Sequence, residues 1–245
     1  MEPLTVAAIL VLAAVAAFIQ ALSGFGFSLF IVPPLAVILG PQDTVVLANL
    51  LGFVGNTLQF VRLRSFVEQR QATTLAIGSF IGMPIGLAVL LLVDPIALQF
   101  GIAVAVIVFT LALMRGLELH GGGTPGDVAV GFTSGVLNTS TSMSGPPVII
   151  YLHGKRLPPQ TFRATINAFF LATGIVAIIL LAGAGTIRWQ LIALVAASLP
   201  AMEVGRFIGN RMFDRVNEVL FRRLVYVILL ISAAVAMGNA IAKGL

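Results

Sequence analysis

The chain is 245 residues long, 59% hydrophobic and 9% charged, with a formal net charge of +5 and a mean hydropathy of +1.08. No soluble domain of this length covers itself with so little polar surface, so the composition excludes a water-soluble protein. The basic excess falls between apolar stretches and reads as a membrane-topology signal rather than a nucleic-acid surface, while the absence of cysteine excludes disulfides and thiolate chemistry.

The first apolar run, near 4–22, ends at Ala21-Leu22-Ser23-Gly24 like a signal peptide, but it carries Glu2 and no basic residues ahead of it. It is expected to be a retained membrane segment. Ser23-Gly24-Phe25-Gly26-Phe27 interrupts it, and a short apolar piece of about 27–40 containing Pro33-Pro34 follows. Further spans of about 20 residues, long enough to cross a bilayer, are predicted near 44–61, 71–93, 95–114, 164–183, 189–208 and 224–242. Between the fourth and fifth of these seven spans lie a segment of about 127–142, polar at its end, and a shorter one at 145–154. With 27–40, these are candidates for re-entrant segments.

Lys and Arg placement orients the spans. If Arg62, Arg64 and Arg70 are cytoplasmic and each short segment returns to its side of entry, then Arg115, Lys155, Arg156, Arg163, Arg206, Arg211, Arg215, Arg222 and Arg223 join them. Only Arg188 and Lys243 remain outside, a count of twelve against two. Both termini, Asp43 and Asp94 are then predicted to be external.

The halves 1–120 and 121–245 resemble each other. Gly82-x-x-x-Gly86 recurs as Gly205-x-x-x-Gly209, Ser23-Gly24 as Ser134-Gly135, and Pro41-Gln42 as Pro159-Gln160. The predicted sidedness makes the copies antiparallel. The expected fold is an all-α polytopic membrane protein of two inverted repeats, each a broken helix hairpin plus three transmembrane helices, as in many secondary transporters. The Gly-x-x-x-Gly pairs read as helix-packing positions.

Non-helical backbone at membrane depth survives only where protein buries it or a polar cavity receives it. The breaks are therefore the candidate ligand site, and helix N-termini there favour an anion. At the first break the candidates are Ser23, Gly24, Phe25, Gly26, Phe27 and Ser28. At the second, Ser134-Gly135 leads to Asn138, Thr139, Ser140, Thr141, Ser142, Ser144 and Gly145, ahead of Pro146-Pro147. Such hydroxyls either cap helix ends or line a hydrated site. Asn49 and Asn167 occupy corresponding spans and read as ligands or interhelical glue. Arg163 is a vestibule cation or an interface anchor, with His153, Lys155 and Arg156 nearby. Glu203, within a predicted span and one turn from Arg206, is either a proton-coupling carboxylate or half of a structural ion pair. Trp189 reads as an interface anchor. Bulky residues at Gly24 or Gly145 are expected to stop transport without unfolding the chain.

The order and spacing of Ser-Gly-Phe-Gly-Phe, Pro33-Pro34, Ser134-Gly135, Gly145-Pro146-Pro147 and Phe162-Arg163-Ala164-Thr165 resemble the sulfite exporter TauE/SafE family of bacterial membrane transporters, from about residue 4 to 240. The resemblance implies a prokaryotic inner-membrane permease for sulfite or small organosulfonates, without cofactor or metal. Phe25 and Phe27 stand where the family pattern is richer in glycine, and they narrow the site or face an organic tail. Expected partners are the anion, the lipid bilayer and protons as a coupling ion, with no nucleic acid. A homodimer is compatible with the sequence. A passive anion channel would share the same site. An intramembrane lipid-phosphate hydrolase is the competing enzyme class, but neither break contains the Asp, Glu or His such chemistry needs.

Overall fold

A computed structural model of the chain describes residues 2–212 and 218–244. Arg215, one of the residues counted for sidedness, lies outside them, as do the side chains of Arg62 and Arg222. The described residues form ten α-helices: α1 Pro3–Ser23, α2 Phe27–Leu39, α3 Pro41–Leu63, α4 Gln69–Leu92, α5 Pro95–Met114, α6 Gly123–Thr141, α7 Gly145–Gly154, α8 Pro159–Gly183, α9 Trp189–Met212 and α10 Glu218–Ala242. Proline opens α1, α3, α5 and α8, where its missing N–H would have had no helical acceptor. Asp94 completes the start of α5, its carboxylate accepting from the amides of Ile96 (2.8 Å) and Ala97 (3.3 Å).

Among the described residues, seven helices are long and apolar enough to cross a membrane, and they are the seven expected from the sequence. The chain is a multi-pass membrane protein. At 1.5 Å per residue, the 13 residues of α2 and the 10 of α7 fall well short of a hydrocarbon core of about 30 Å. Exposed Ile77, Ile81 and Ile85 on α4, and Val227, Ile231 and Val235 on α10, form apolar stripes suited to lipid.

The chain divides into two compact units that interleave in sequence. One holds Met1–Leu51, Val93–Met114 and Ile187–Leu245; the other holds Gly52–Leu92 and Arg115–Thr186. In the first, α1 packs on α9 and α10 on α5 and α2. Gly205 allows the α1–α9 approach, since a Cβ there would lie 2.0 Å from Ala14 O. Gln99 crosses from α5 to α10, its amide donating to Ala236 O at 3.0 Å and Asn239 Oδ1 at 3.2 Å. In the second, α4 packs along α6, and α8 against both. Added Cβ atoms at Gly78, Gly82 and Gly86 would lie 2.1–2.2 Å from carbonyls of α6, and those at Gly131 and Gly135 2.0–2.1 Å from carbonyls of α4. The glycine pairs therefore pack helices, as expected from the sequence.

Helix ends recur at constant spacing. Ser23 and Thr141 end their helices, Phe27 and Gly145 begin the next, and Pro41 and Pro159 begin the third, each pair 118 residues apart. This corrects the match of Ser23-Gly24 to Ser134-Gly135: those two residues lie inside α6, packed on α4, and the second break falls at 142–144.

Candidate functional site

The first break belongs to the first unit. α1 ends because Gly24 turns left-handed (φ 81°), with its N–H bonded to Gln20 O at 2.8 Å. Gly26 is also left-handed (φ 93°) and opens α2 without a side-chain cap. Left-handed backbone costs other residues roughly 1–2 kcal/mol each, so both glycines are conformational requirements. Ser23 Oγ lies 2.8 Å from Ile19 O and 2.6 Å from Phe25 O, so the turn itself takes up its single proton. Phe27 is buried, while Phe25 and Ser28 are half-buried. The donors that remain are the first amides of α2, at Phe27, Ser28 and Leu29, which have no acceptor within the helix.

The second break belongs to the second unit. α6 ends in a left-handed cap: Ser142 is left-handed (φ 60°), its N–H donates to Asn138 O at 2.8 Å, and Met143 N–H donates to Leu137 O at 3.3 Å. Ser134 donates from inside α6 to Ser144 O and ties the break to the helix. The hydroxyls ahead of the break neither cap a helix nor stay open. Thr139 donates to Met83 O at 2.6 Å, Ser140 to Val136 O at 2.6 Å and Thr141 to Leu137 O at 2.7 Å. Sequence reasoning could not see this, because hydroxyls in the last turns of a helix can satisfy carbonyls four residues back.

What stays open is a smaller set. Ser142 and Ser144 are 5% and 7% exposed, and their hydroxyls have no partner among the described residues. Gly145 supplies an amide at the first position of α7, whereas Pro146 and Pro147 behind it have none. An added Cβ at Gly145 would lie 3.3 Å from the Phe170 ring on α8, so α8 closes over this side of the break.

The two asparagines share one arrangement. Asn49 Nδ2 donates to Val45 O at 2.9 Å and Asn167 Nδ2 to Arg163 O at 2.7 Å, each to the carbonyl one turn back. Asn167 is fully buried and its Oδ1 has no partner among the described residues. Asn138 is buried at 4% exposure. Arg163 stands near the start of α8, partly buried, beside Phe162, whose ring stacks on His153 with centroids 4.9 Å apart. Glu203 lies on α9 with its side chain 51% exposed and hydrogen-bonded to Arg206.

One buried carboxylate escaped the sequence analysis. Asp127 on α6 is 4% exposed and accepts from Tyr151 Oη at 2.5 Å, with Lys155 Nζ 3.5 Å away. Elsewhere, in the first unit, Asp43 pairs with Arg188 at a cleft of about 390 Å³ that also involves Thr5, Ile38 and Leu194. That cleft contains none of the residues expected to bind a ligand.

A family model described as Sulfite exporter TauE/SafE matches residues 9–236, and the chain belongs to that family. No curated protein and no solved structure matches it.

Proposed function

We propose that this TauE/SafE chain is a prokaryotic inner-membrane carrier for sulfite or a small organosulfonate, which it binds as an oxyanion at the helix breaks and exposes to the two sides of the membrane in turn. The family match supports the cargo class. The observation that carries the ligand class is the second break: two buried serine hydroxyls and one amide offer donors, with no carboxylate in the segment to repel an anion. The uncapped first turn of α2 offers the same chemistry at the first break. Neutral donors hold an oxyanion without the full charge that would slow its release, which suits a carrier.

Within the second unit, ligation is assigned to Ser142, Ser144 and Gly145, with Asn138 and Asn167 as polar lining; within the first, the α2 amides are the candidate donors. Thr139, Ser140 and Thr141 become structural. The repeat of helix ends at 118 residues, together with glycine-lined packing of α4 on α6 and of α9 on α1, supports two copies of one helical plan, 1–120 and 121–245. The sidedness count supports their inversion and external termini.

The test is uptake of radiolabelled sulfite into proteoliposomes, with taurine-like and larger sulfonates as competitors and with or without an imposed pH gradient. Accumulation against the concentration gradient is expected. Downhill flux alone would replace the carrier by a channel, and no flux of any sulfur oxyanion would overturn the assignment.

A further inference from the structure

In the first unit, three helices begin at one cleft. Thr5, Asp43 and Gln190 stand in the opening turns of α1, α3 and α9, and Arg188 immediately precedes α9; all four line the same space of about 390 Å³. α1 and α9 run side by side in the same direction, because an added Cβ at Gly205 would meet Ala14 and one at Gly209 would meet Phe18 and Ala21. Both therefore open toward the same face. The opening amides of a helix have no helical acceptor and carry partial positive charge, so three helix starts bias the cleft toward an anion. Asp43 is the one carboxylate among the lining residues, and it pairs with Arg188.

That ion pair is open to exchange. The Arg188 side chain is 58% exposed and that of Asp43 27%, and an ion pair within such reach of water holds its partners weakly. Five guanidinium N–H groups let Arg188 serve Asp43 and a second anion together. Leu39, Leu191 and Leu194 line the remainder with Ile38, and Leu4, Trp189 and Ile192 beside it are exposed. α1, α3 and α9 are all long and apolar enough to cross a membrane. Opposite charges, opening amides and apolar surface thus meet where membrane helices begin, the depth at which lipid headgroups lie.

We propose that this cleft binds an aminophospholipid, a phosphodiester carrying a primary ammonium group, as in phosphatidylethanolamine. Its phosphate accepts from Arg188 and the opening amides of α9, its ammonium donates to Asp43, and its acyl chains lie along exposed Ile38 and Ile192. The ion pair selects the headgroup. A phosphate that draws on Arg188 leaves the Asp43 carboxylate short of a cation. A primary ammonium supplies one with N–H donors, whereas a quaternary ammonium has no N–H to give. An anionic headgroup without an ammonium would set its charge beside Asp43 with nothing to offset the repulsion. The volume is that of a small-ligand site, so the cleft takes the headgroup and leaves the chains outside. No residue is shared with either helix break, and the proposal stands apart from the carrier reading.

Trp189 is the single tryptophan of the chain and adjoins Arg188, so its fluorescence reports on this cleft. The experiment reconstitutes the whole protein in bilayers of phosphatidylethanolamine mixed with phosphatidylcholine or phosphatidylglycerol of identical chains, with one lipid at a time brominated in its chains. Quenching of Trp189 is expected to show phosphatidylethanolamine held about tenfold more tightly than either competitor, the worth of a hydrogen bond to a charged group. D43N is expected to bring the ratio to phosphatidylcholine down to about one. R188Q, which removes the phosphate donor common to all three lipids, is expected to weaken them together.

Equal quenching by phosphatidylethanolamine and phosphatidylcholine in the wild type overturns the proposal, as does a preference for phosphatidylglycerol or a preference that persists unchanged in D43N. If D43N does not fold, R188Q decides, and affinities left unchanged by it overturn the proposal. Loss of the preference on adding soluble phosphoethanolamine or 2-aminoethanesulfonate would assign the cleft to a free zwitterion and overturn the lipid.

Discussion

Ser142 occupies a position that glycine would fill at lower cost. Its φ of 60° is left-handed, a conformation that penalises a side chain by roughly 1–2 kcal/mol, and its hydroxyl makes no hydrogen bond among the described residues. The S142G variant separates the two roles. Thermal stability should rise by about 1 kcal/mol, while KM for the anion should rise about tenfold through loss of a hydrogen bond to a charged ligand. S144A should weaken binding similarly without the gain in stability, since its backbone is right-handed (φ −70°). T141V should leave KM unchanged, because that hydroxyl already bonds Leu137 O. Flux kinetics and thermal unfolding of the three variants check this, and an unchanged KM in both S142G and S144A removes the serines from the site. The same geometry withdraws Gly24 as a clean test of function, since its φ of 81° strains any replacement whatever its size.

At the level of helices, glycine beside serine spells two different things. Ser23-Gly24 bends the chain, whereas Ser134-Gly135 lies mid-helix where a Cβ would sit 2.0 Å from Ser79 O. Local sequence carries no sign of which applies, because the opposing backbone decides it. The seven spans were legible because hydropathy accumulates over some twenty residues, and the short helices because glycine and proline bound them. Asp127 was not, because α6 begins at Gly123, within a polar glycine-rich stretch, and the sequence placed the start of that segment at Asp127 itself. The packing argument makes its own prediction. G135A should destabilise the protein by about 3 kcal/mol or more, since neither backbone can yield. G101A, on α5 with nothing within 4 Å of the added Cβ, should be neutral or stabilising by up to about 1 kcal/mol. Thermal unfolding in lipid would compare them, and equal effects would show that α4 and α6 are not held at contact distance.

For the molecule as a whole, polar contacts within each unit gather residues that the charge count puts on one side. Arg70 reaches Thr124, the Glu68 amide donates to the Thr165 hydroxyl at 3.0 Å, and Lys155 reaches Asp127, all among residues predicted to face or border the cytoplasm. Asp43 meets Arg188, both predicted to be external. Geometry groups these residues but does not say which group faces the cell interior; only the asymmetry of basic charge does. Helix α8 offers the direct test, since both its ends are exposed, at Gln160 and Ala184, and the natural chain has no cysteine to interfere. A single cysteine at position 184 should react with a membrane-impermeant thiol reagent applied to intact cells. One at position 160 should react only after the membrane is opened. The reverse pattern would invert the whole chain, moving Asp127 and Lys155 to the outside face and Asp43 with Arg188 to the inside.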